Sequence, residues 1–400
     1  MAGNVPRAQT HWRNQAGQPS LIDARNRPGR LLAAGQLAWA SYCPKTRRAP
    51  ASTADRIILQ ATLSLAEDVL YALYCASIER SVRFMSYPTH PEWERRLPEA
   101  LSLVRGHLPT TPLVPISLDG FDAPAYLKLE TLQPTGSFKV RGALAAVAAA
   151  KRSGLPVVSA SAGNHGLGIA FAAERLGTTA VVVVPENAST AKVNALRRYD
   201  VDLRLIGNSY DAAEEAAVRI AEETGGRFVS GYSDPDVIAG QASVVAEVLS
   251  QLDGEFQIVV PVGGGGLAAG IALGAPKRAS VIGVESEHSH AVSVAMAAGR
   301  NIQVDIGATI TDGTAGNIAH DAFTPQILRE HAVAMVRAEE QAVRSCVRDL
   351  ALHYGVVGEG AAVMGIAAAV SGSIPANQPT VFVITGRNIA TERFMGLVGS

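Results

Sequence analysis

From about residue 125 onward, short continuous runs of aliphatic and β-branched residues alternate with longer stretches of helical spacing. Seven runs read as strands, at 126–130, 156–160, 179–184, 201–206, 257–262, 280–285 and 380–385. The spacing predicts helices at 141–153, 165–176, 210–223, 236–252, 266–273 and 339–353. Strands that are apolar on both faces and separated by helices pair in parallel and lie under helices on both sides. This fixes the class as α/β, with parallel-rich twisted sheets flanked by helices and more than one sheet.

The bulk composition narrows what such a fold would serve. A chain of 400 residues with 48% hydrophobic and 18% charged residues is globular. A net charge of -1 gives no reason to expect nucleic acid or an acidic membrane surface. Three cysteines (Cys43, Cys75 and Cys346) without a CxxC pair fit a reducing compartment, and the expected setting is cytoplasmic. The longest apolar run near the N-terminus, 57–77, is broken by Gln60, Glu67 and Asp68, so it reads as neither a membrane span nor a secretory segment.

The first 84 residues differ from the rest, with 11 Lys/Arg against 5 Asp/Glu. Residues 1–56 lack hydrophobic periodicity and read as disordered, whereas 57–84 has the spacing of one amphipathic helix. Residues 1–84 are expected to be a disordered extension or an upstream start preceding Met85. An interaction tail or an Arg-rich transit peptide are the other readings. A short helix is expected at 97–105.

Four segments carry chemistry. The first, Glu130-Thr-Leu-Gln-Pro-Thr-Gly-Ser-Phe-Lys-Val-Arg-Gly142, sets Lys139 after a strand and a turn, at the start of an Ala-rich helix. Limited water there lowers a lysine's pKa and makes it a nucleophile and base toward a carbonyl cofactor. Alone, a lysine in this position is usually a solvated charge. The second, Ser159-Ala-Ser-Ala-Gly-Asn-His-Gly-Leu-Gly168, follows a strand and opens a helix whose N-terminal amides suit a carboxylate or phosphate. Its plain alternative is a tight turn capped by Asn164. The third, Val259-Val-Pro-Val-Gly-Gly-Gly-Gly-Leu-Ala-Ala-Gly270, forms a glycine nest for a phosphate. It lacks the Lys-Ser/Thr of a Walker loop and fits a dinucleotide fingerprint poorly, which leaves hydride transfer a weak rival. The fourth, Val381-Phe-Val-Ile-Thr-Gly-Arg-Asn388, is a terminal strand ending in a hydroxyl, where α/β sites collect their residues.

In this order and spacing the four segments resemble the fold-type II pyridoxal-phosphate enzymes (tryptophan synthase β-like), and among them the threonine/serine dehydratases (ammonia-lyases), with serine racemase related. The resemblance runs from about His90 to Asn388 and includes Thr111-Pro-Leu, Asp234-Pro-Asp-Val-Ile-Ala-Gly-Gln241, Val281-Ile-Gly-Val-Glu285 and Thr309-Ile-Thr-Asp-Gly313. It implies two domains, a small one inserted at 136–235 and a large cofactor-binding one from 86–135 plus 236–400. It implies that Lys139 holds pyridoxal 5'-phosphate as a Schiff base, with Phe138 against the ring, Asn164 on the ring oxygen and Thr385 facing the ring nitrogen. Gly263, Gly264, Gly265 and Gly266 would cradle the phosphate. Ser161, Gly163, Asn164 and His165 would hold the substrate carboxylate. The implied reaction is β-elimination from a small hydroxy-amino acid such as threonine, serine or 3-hydroxyaspartate, giving a 2-keto acid and ammonia. Lys139 would act as the base and the cofactor phosphate as the proton donor to the leaving hydroxyl. Such enzymes are commonly homodimers.

Departures from the family pattern refine this reading. Ala162 stands directly before Gly-Asn-His where racemases carry a serine, so racemisation is expected to be weak. Relatives that bind a cation use an acid six residues beyond the glutamate equivalent to Glu285, and here that position is Ala291, so no metal is expected. The segment Val357-Gly-Glu-Gly-Ala-Ala362 replaces the usual Glu-Pro-Ser/Ala-Gly-Ala-Ala, and Arg387 replaces a glycine. Glu359 and Arg387 are therefore the candidate specificity residues. Asn164-His165-Gly166 and the four-glycine loop argue against β-replacement enzymes, and a non-catalytic ligand-binding relative is the rival of a different class. With the chain ending soon after Asn388, no C-terminal regulatory domain is expected.

Overall fold

The strand that leads into Thr385 lies in the middle of a six-stranded sheet, and this placement organises the rest of the fold. The computed structural model describes residues 90–399; the expected tail and amphipathic helix within 1–84 lie outside the described residues. The described residues belong to one compact unit, Val82–Ser400. The larger sheet has strand order β1-β2-β10-β7-β8-β9, made from β1 (Leu113–Ile116), β2 (Ala125–Leu129), β7 (Phe256–Pro261), β8 (Ala279–Ser286), β9 (Ala334–Ala338) and β10 (Thr380–Ile384). All its pairings are parallel except β1 with β2. The smaller sheet, β5-β4-β3-β6, is wholly parallel and consists of β3 (Val157–Ala160), β4 (Ala180–Val184), β5 (Asp202–Leu205) and β6 (Arg227–Phe228).

The central strands are the ones visible as continuous apolar runs: β7 and β10 are buried at every position. The strands not expected from sequence are β1, β6 and β9. Each lies at a sheet edge, and β1 carries Pro115 in its interior, a residue tolerated there because an edge strand leaves one row of amides unpaired. The single helix expected at 236–252 is two, Pro235–Gln241 and Ser243–Gln251. The hydroxyl of Ser243 donates to the Gly240 carbonyl at 2.7 Å, so the side chain competes with the backbone ladder at the break. The helix expected at 97–105 extends over His90–His107.

Helix Lys139–Arg152 is the hinge of the packing. Its glycine Gly142 lies so close to Gly240 that a Cβ on Gly240 would sit 2.6 Å from the Gly142 Cα. Two carboxylates fasten the same helix from inside. Arg141 is fully buried and engages Glu130 through Nε and a terminal nitrogen at 2.7 and 2.8 Å, and Glu247 at 2.7 and 2.8 Å. Lys128, also fully buried, donates to Glu247 at 2.7 Å and to the Thr111 carbonyl at 2.7 Å. Two cations and two carboxylates thus neutralise one another inside the core, which is what a buried charge requires. Burial opposes charge on Arg141, but its two carboxylates outweigh this and raise its pKa further.

Candidate active site

Lys139 is the first residue of its helix, and the loop before it is stitched to the end of β10. The Phe138 amide donates to the Thr385 carbonyl at 3.0 Å, and the Arg387 amide to the Gly136 carbonyl at 2.9 Å. Ser137 and Gly386 form an antiparallel bridge between these contacts. Gly136 has a positive φ of 75°, and a Cβ there would strike the Asn388 side chain. The turn therefore needs glycine on two grounds. The outcome is that Phe138, Lys139 and Thr385, whose extremes lie 247 positions apart in the sequence, share one corner of the structure.

The Lys139 amine donates to the Gly231 carbonyl at 2.6 Å and lies 5.4 Å from the centre of the Phe138 ring. Burial lowers its pKa to about 8, with the Glu359 carboxylate pulling the other way. The amine is thus brought toward the neutral, nucleophilic state that the sequence suggested.

Glu359 and the two asparagines complete this side. The Glu359 amide donates to the Gly386 carbonyl at 3.0 Å, and its Oε1 accepts from Asn164 Nδ2 at 2.8 Å. Asn388 Nδ2 donates both to Asn164 Oδ1 at 2.6 Å and to the Thr135 carbonyl at 2.8 Å. Burial pushes the Glu359 carboxyl up to about 7, the nearby Asp312 carboxylate adds to the rise, and the Asn164 bond opposes it.

The glycine loop closes the opposite side. Gly265, with φ of 85°, precedes the helix Gly266–Gly274. A Cβ on Gly264 would fall 2.3 Å from the Tyr232 ring, one on Gly266 2.6 Å from the Tyr232 carbonyl, and one on Gly263 2.9 Å from the Thr314 Cα. The first bond of this helix runs from the Ala269 amide to the Gly265 carbonyl, so the amides before it have no intrahelical acceptor. A chain of neighbours links the two sides. Gly231, the acceptor of the lysine, precedes Tyr232 on the glycine loop, and Gly313, beside Glu359, precedes Thr314 on Gly263.

The segment at 161–166 contributes backbone more than side chains. The Ser161 hydroxyl accepts from the Gly163 amide at 3.1 Å, and helix Asn164–Leu176 follows. Its first bond runs from Leu167 to the Gly163 carbonyl, so the amides of Asn164, His165 and Gly166 precede the ladder. The His165 ring is buried, and its Nε2 lies 3.1 Å from the Val229 carbonyl, an acceptor, so Nε2 carries the hydrogen. Burial, with Lys139 nearby, pushes its pKa down to about 3. A neutral ring whose only N–H is engaged offers a substrate carboxylate its main-chain amide rather than its imidazole.

Two further candidates sit differently. Both oxygens of the buried Glu285 are taken by the helix Ala291–Ala298, accepting from the Val292 amide at 2.8 Å and the Ser293 amide at 3.1 Å, so this residue is a helix cap. The Arg387 side chain is exposed while its amide holds Gly136. Sequence reading passed over Asn388 as a role-bearing residue, together with Tyr232, Thr314 and the Arg141 cluster. Asn388 had a signal, as the last residue of a quoted motif.

These residues fit pyridoxal phosphate. The glycine loop is a cradle that any Cβ would fill, at the N-terminus of a nine-residue helix. Around Lys139, Thr135 Oγ1, Ser137 Oγ and His165 Nδ1 are buried without a protein partner. The comparisons with known proteins point the same way. The family model described as pyridoxal-phosphate dependent enzyme matches residues 104–386. The L-threonine ammonia-lyase of Thermotoga maritima is 37% identical over 269 residues, 66% of this chain and 67% of the relative. The catabolic L-threonine dehydratase of Escherichia coli K12 is 34% identical over 288 residues, 68% of this chain and 85% of the relative. The solved structure of the processed form of threonine deaminase isoform 2 from Solanum lycopersicum superposes with a TM-score of 0.70 at 27% identity, covering 78% of this chain and 90% of that one.

Proposed function

Because the chain belongs to the pyridoxal-phosphate-dependent enzyme family, we propose that it is a lyase that removes the β-hydroxyl of a small hydroxy-amino acid, with threonine and serine foremost, to yield a 2-keto acid and ammonia. The observation that carries this reading is the Lys139 amine, held on the Gly231 carbonyl at the head of its helix and lowered to about 8 by burial, with the Glu359 carboxylate acting on it. When bound, the cofactor withdraws electrons from the substrate Cα and so acidifies its hydrogen.

The chain's own residues supply the rest. Lys139 anchors the cofactor through Nζ and, once freed, that atom takes the Cα proton as general base. The amides of Gly263 to Gly266 would hold the phosphate, Phe138 would pack on the ring and Asn164 would bond its oxygen. Thr385 would lie at the ring nitrogen, where its neutral hydroxyl would not force that nitrogen to be protonated. The substrate carboxylate sits at the amides of Gly163, Asn164 and His165 with the Ser161 hydroxyl. The enamine released after the hydroxyl departs hydrolyses to the keto acid.

What supports elimination over racemisation is Ala162, which offers no proton on the second face of the substrate. The exposed Arg387 side chain gives no ground for preferring 3-hydroxyaspartate to threonine or serine. Residues 136–235 are proposed to act as a small inserted domain, a division supported by the confinement of β3 to β6 to this range. A homodimer is proposed from the resemblance, for which sedimentation is the measure. Among the described residues, no helix is long and apolar enough to cross a membrane.

The deciding experiment measures keto-acid release from L-threonine, L-serine and 3-hydroxyaspartate, with D-serine formation followed in parallel. Rapid keto-acid release with little D-serine is expected. D-serine formed as fast as pyruvate would overturn the assignment, and so would absence of turnover in protein whose cofactor colour bleaches on borohydride treatment.

A further inference from the structure

Elimination of a hydroxyl group needs a proton at the departing oxygen, since hydroxide is a poor leaving group. The group that supplies it has to be protonated when the substrate binds. The phosphate of the cofactor would be held by backbone amides at the head of the helix Gly266–Gly274. Hydrogen bonds from amides and the positive end of the helix dipole favour the more highly charged form of a phosphate, lower its pKa and so leave it without the proton to give. The opposite holds across the site at Glu359.

Glu359 is 7% exposed, and its position is fixed by two backbone segments. Its amide is tied to the Gly386 carbonyl, its Oε1 approaches so closely that a Cβ on Gly386 would lie 2.6 Å away, and Gly313 faces the same oxygen. Asn164 Nδ2 donates to Oε1, and the Asn388 amide also bonds the carboxyl. With Oε1 acting as acceptor, the acid form carries its hydrogen on Oε2. The charged groups around it are Lys139, Asp312 and Lys192. Asp312 favours the protonated form, Lys192 opposes it, and desolvation outweighs both.

Resting on the elimination reading above, we propose that Glu359 carries the proton that departs with the substrate β-hydroxyl. Lys139 Nζ takes the Cα hydrogen as a proton, and the electron pair left at Cα forms the Cα–Cβ double bond. The Cβ–O bond breaks with its pair on oxygen, and the Glu359 proton converts that oxygen to water. The ammonium of Lys139 and the carboxylate of Glu359 then stand opposite each other. Transfer of one proton between them restores both groups, so the substrate has lost one hydrogen and one hydroxyl with no other reactant. The Glu359 carboxylate is close enough to the Lys139 amine to raise its pKa against the effect of burial.

The test compares L-serine with β-chloro-L-alanine, whose chloride leaves without a proton. Wild-type, Glu359→Gln and Glu359→Asp holoenzymes are assayed with both substrates, and cofactor absorbance and far-UV circular dichroism confirm loading and folding. The proposal expects Glu359→Gln to lose about 100-fold or more in kcat on serine, the range of general acid catalysis, and only a few-fold on chloroalanine. Glu359→Asp, which keeps an acid, should recover part of the serine rate. Equal losses on both substrates would overturn the proposal, placing Glu359 in a step common to both. Unchanged serine turnover would also overturn it and leave the phosphate as donor. A wild-type enzyme inactive on both substrates would instead remove the elimination reading itself. One measurement needs no variant: in the wild type, the serine-to-chloroalanine rate ratio falls as pH rises from about 6 to about 9, through the range in which the acid loses its proton. A flat ratio would count against Glu359.

Discussion

Asn388 donates its side-chain amide to Asn164 Oδ1 at 2.6 Å, and this bond decides which way round the Asn164 amide sits. With Oδ1 occupied as an acceptor, Nδ2 is left to face Glu359. Replacing Asn388 by Ala should cost about 1–3 kcal/mol of positioning, or about 5- to 150-fold in kcat, with a smaller change in KM. Asn388→Asp should do more harm, because a carboxylate opposite Oδ1 is repelled unless the Asn164 amide flips. Steady-state kinetics on serine checks both; an Asp variant as active as wild type would contradict this orientation.

The apo-enzyme should show an unusually acidic lysine. Neutral amine is the reactive form, so acylation of Lys139 should reach half its maximal rate near pH 8, where an ordinary lysine is almost entirely charged. Since Glu359 raises the Lys139 value, Glu359→Gln should move the profile lower. Peptide mass spectrometry after timed labelling at several pH values gives the curve. A midpoint near 10.5 would disprove the lowered value.

Gly264→Ala places a methyl group 2.3 Å from the Tyr232 ring. Overpacking of this kind typically costs about 1–3 kcal/mol, and here the strain falls on the loop expected to hold phosphate. The variant should lose cofactor readily on dialysis while keeping most of its far-UV signal. Retention of cofactor equal to wild type would argue that the loop does not hold the phosphate.

His165 should make the protein acid-sensitive. Its folded-state value is depressed to about 3 from 6.5, so the stability it confers is present above 6.5 and is lost as pH falls through that interval toward 3. Urea midpoints measured along a pH series should drop more steeply for wild type than for His165→Asn. The same slope in both would assign the acid sensitivity to other groups.

Arg141→Met removes one cation from the buried cluster and leaves Glu130 and Glu247 facing each other with only Lys128 between them. A broken buried pair of this sort costs about 3–5 kcal/mol. Urea unfolding measures this directly, and a loss below about 1 kcal/mol would mean that the cluster relaxes on its own.

How much could be seen in the sequence follows from what each residue needed. Lys139, Gly263 to Gly266 and Thr385 stood at strand–helix junctions, where local pattern and chemistry agree, and the structure does gather Lys139 and Thr385 through the Phe138 amide. The β7 and β10 runs were apolar apart from Gln257 and Thr380, hence visible. Lys128, Glu130, Arg141 and Glu247 gave no such sign, because single charged residues read as solvated until their long-range partners are known. Glu285 was read through its metal-binding relatives, and only the position of helix Ala291–Ala298 shows its oxygens capping amides. The break at Ala242 depended on where the Ser243 hydroxyl turned, which periodicity does not encode.

The meeting of Gly142 with Gly240 has a practical consequence for anyone reshaping this protein. Two backbones touch there with no side chain between them, so the lysine helix cannot be slid or widened by ordinary substitution. Laboratory evolution toward new substrates should therefore find its tolerated changes at exposed positions such as Arg387, while random libraries that touch Gly142 or Gly240 return mostly inactive clones.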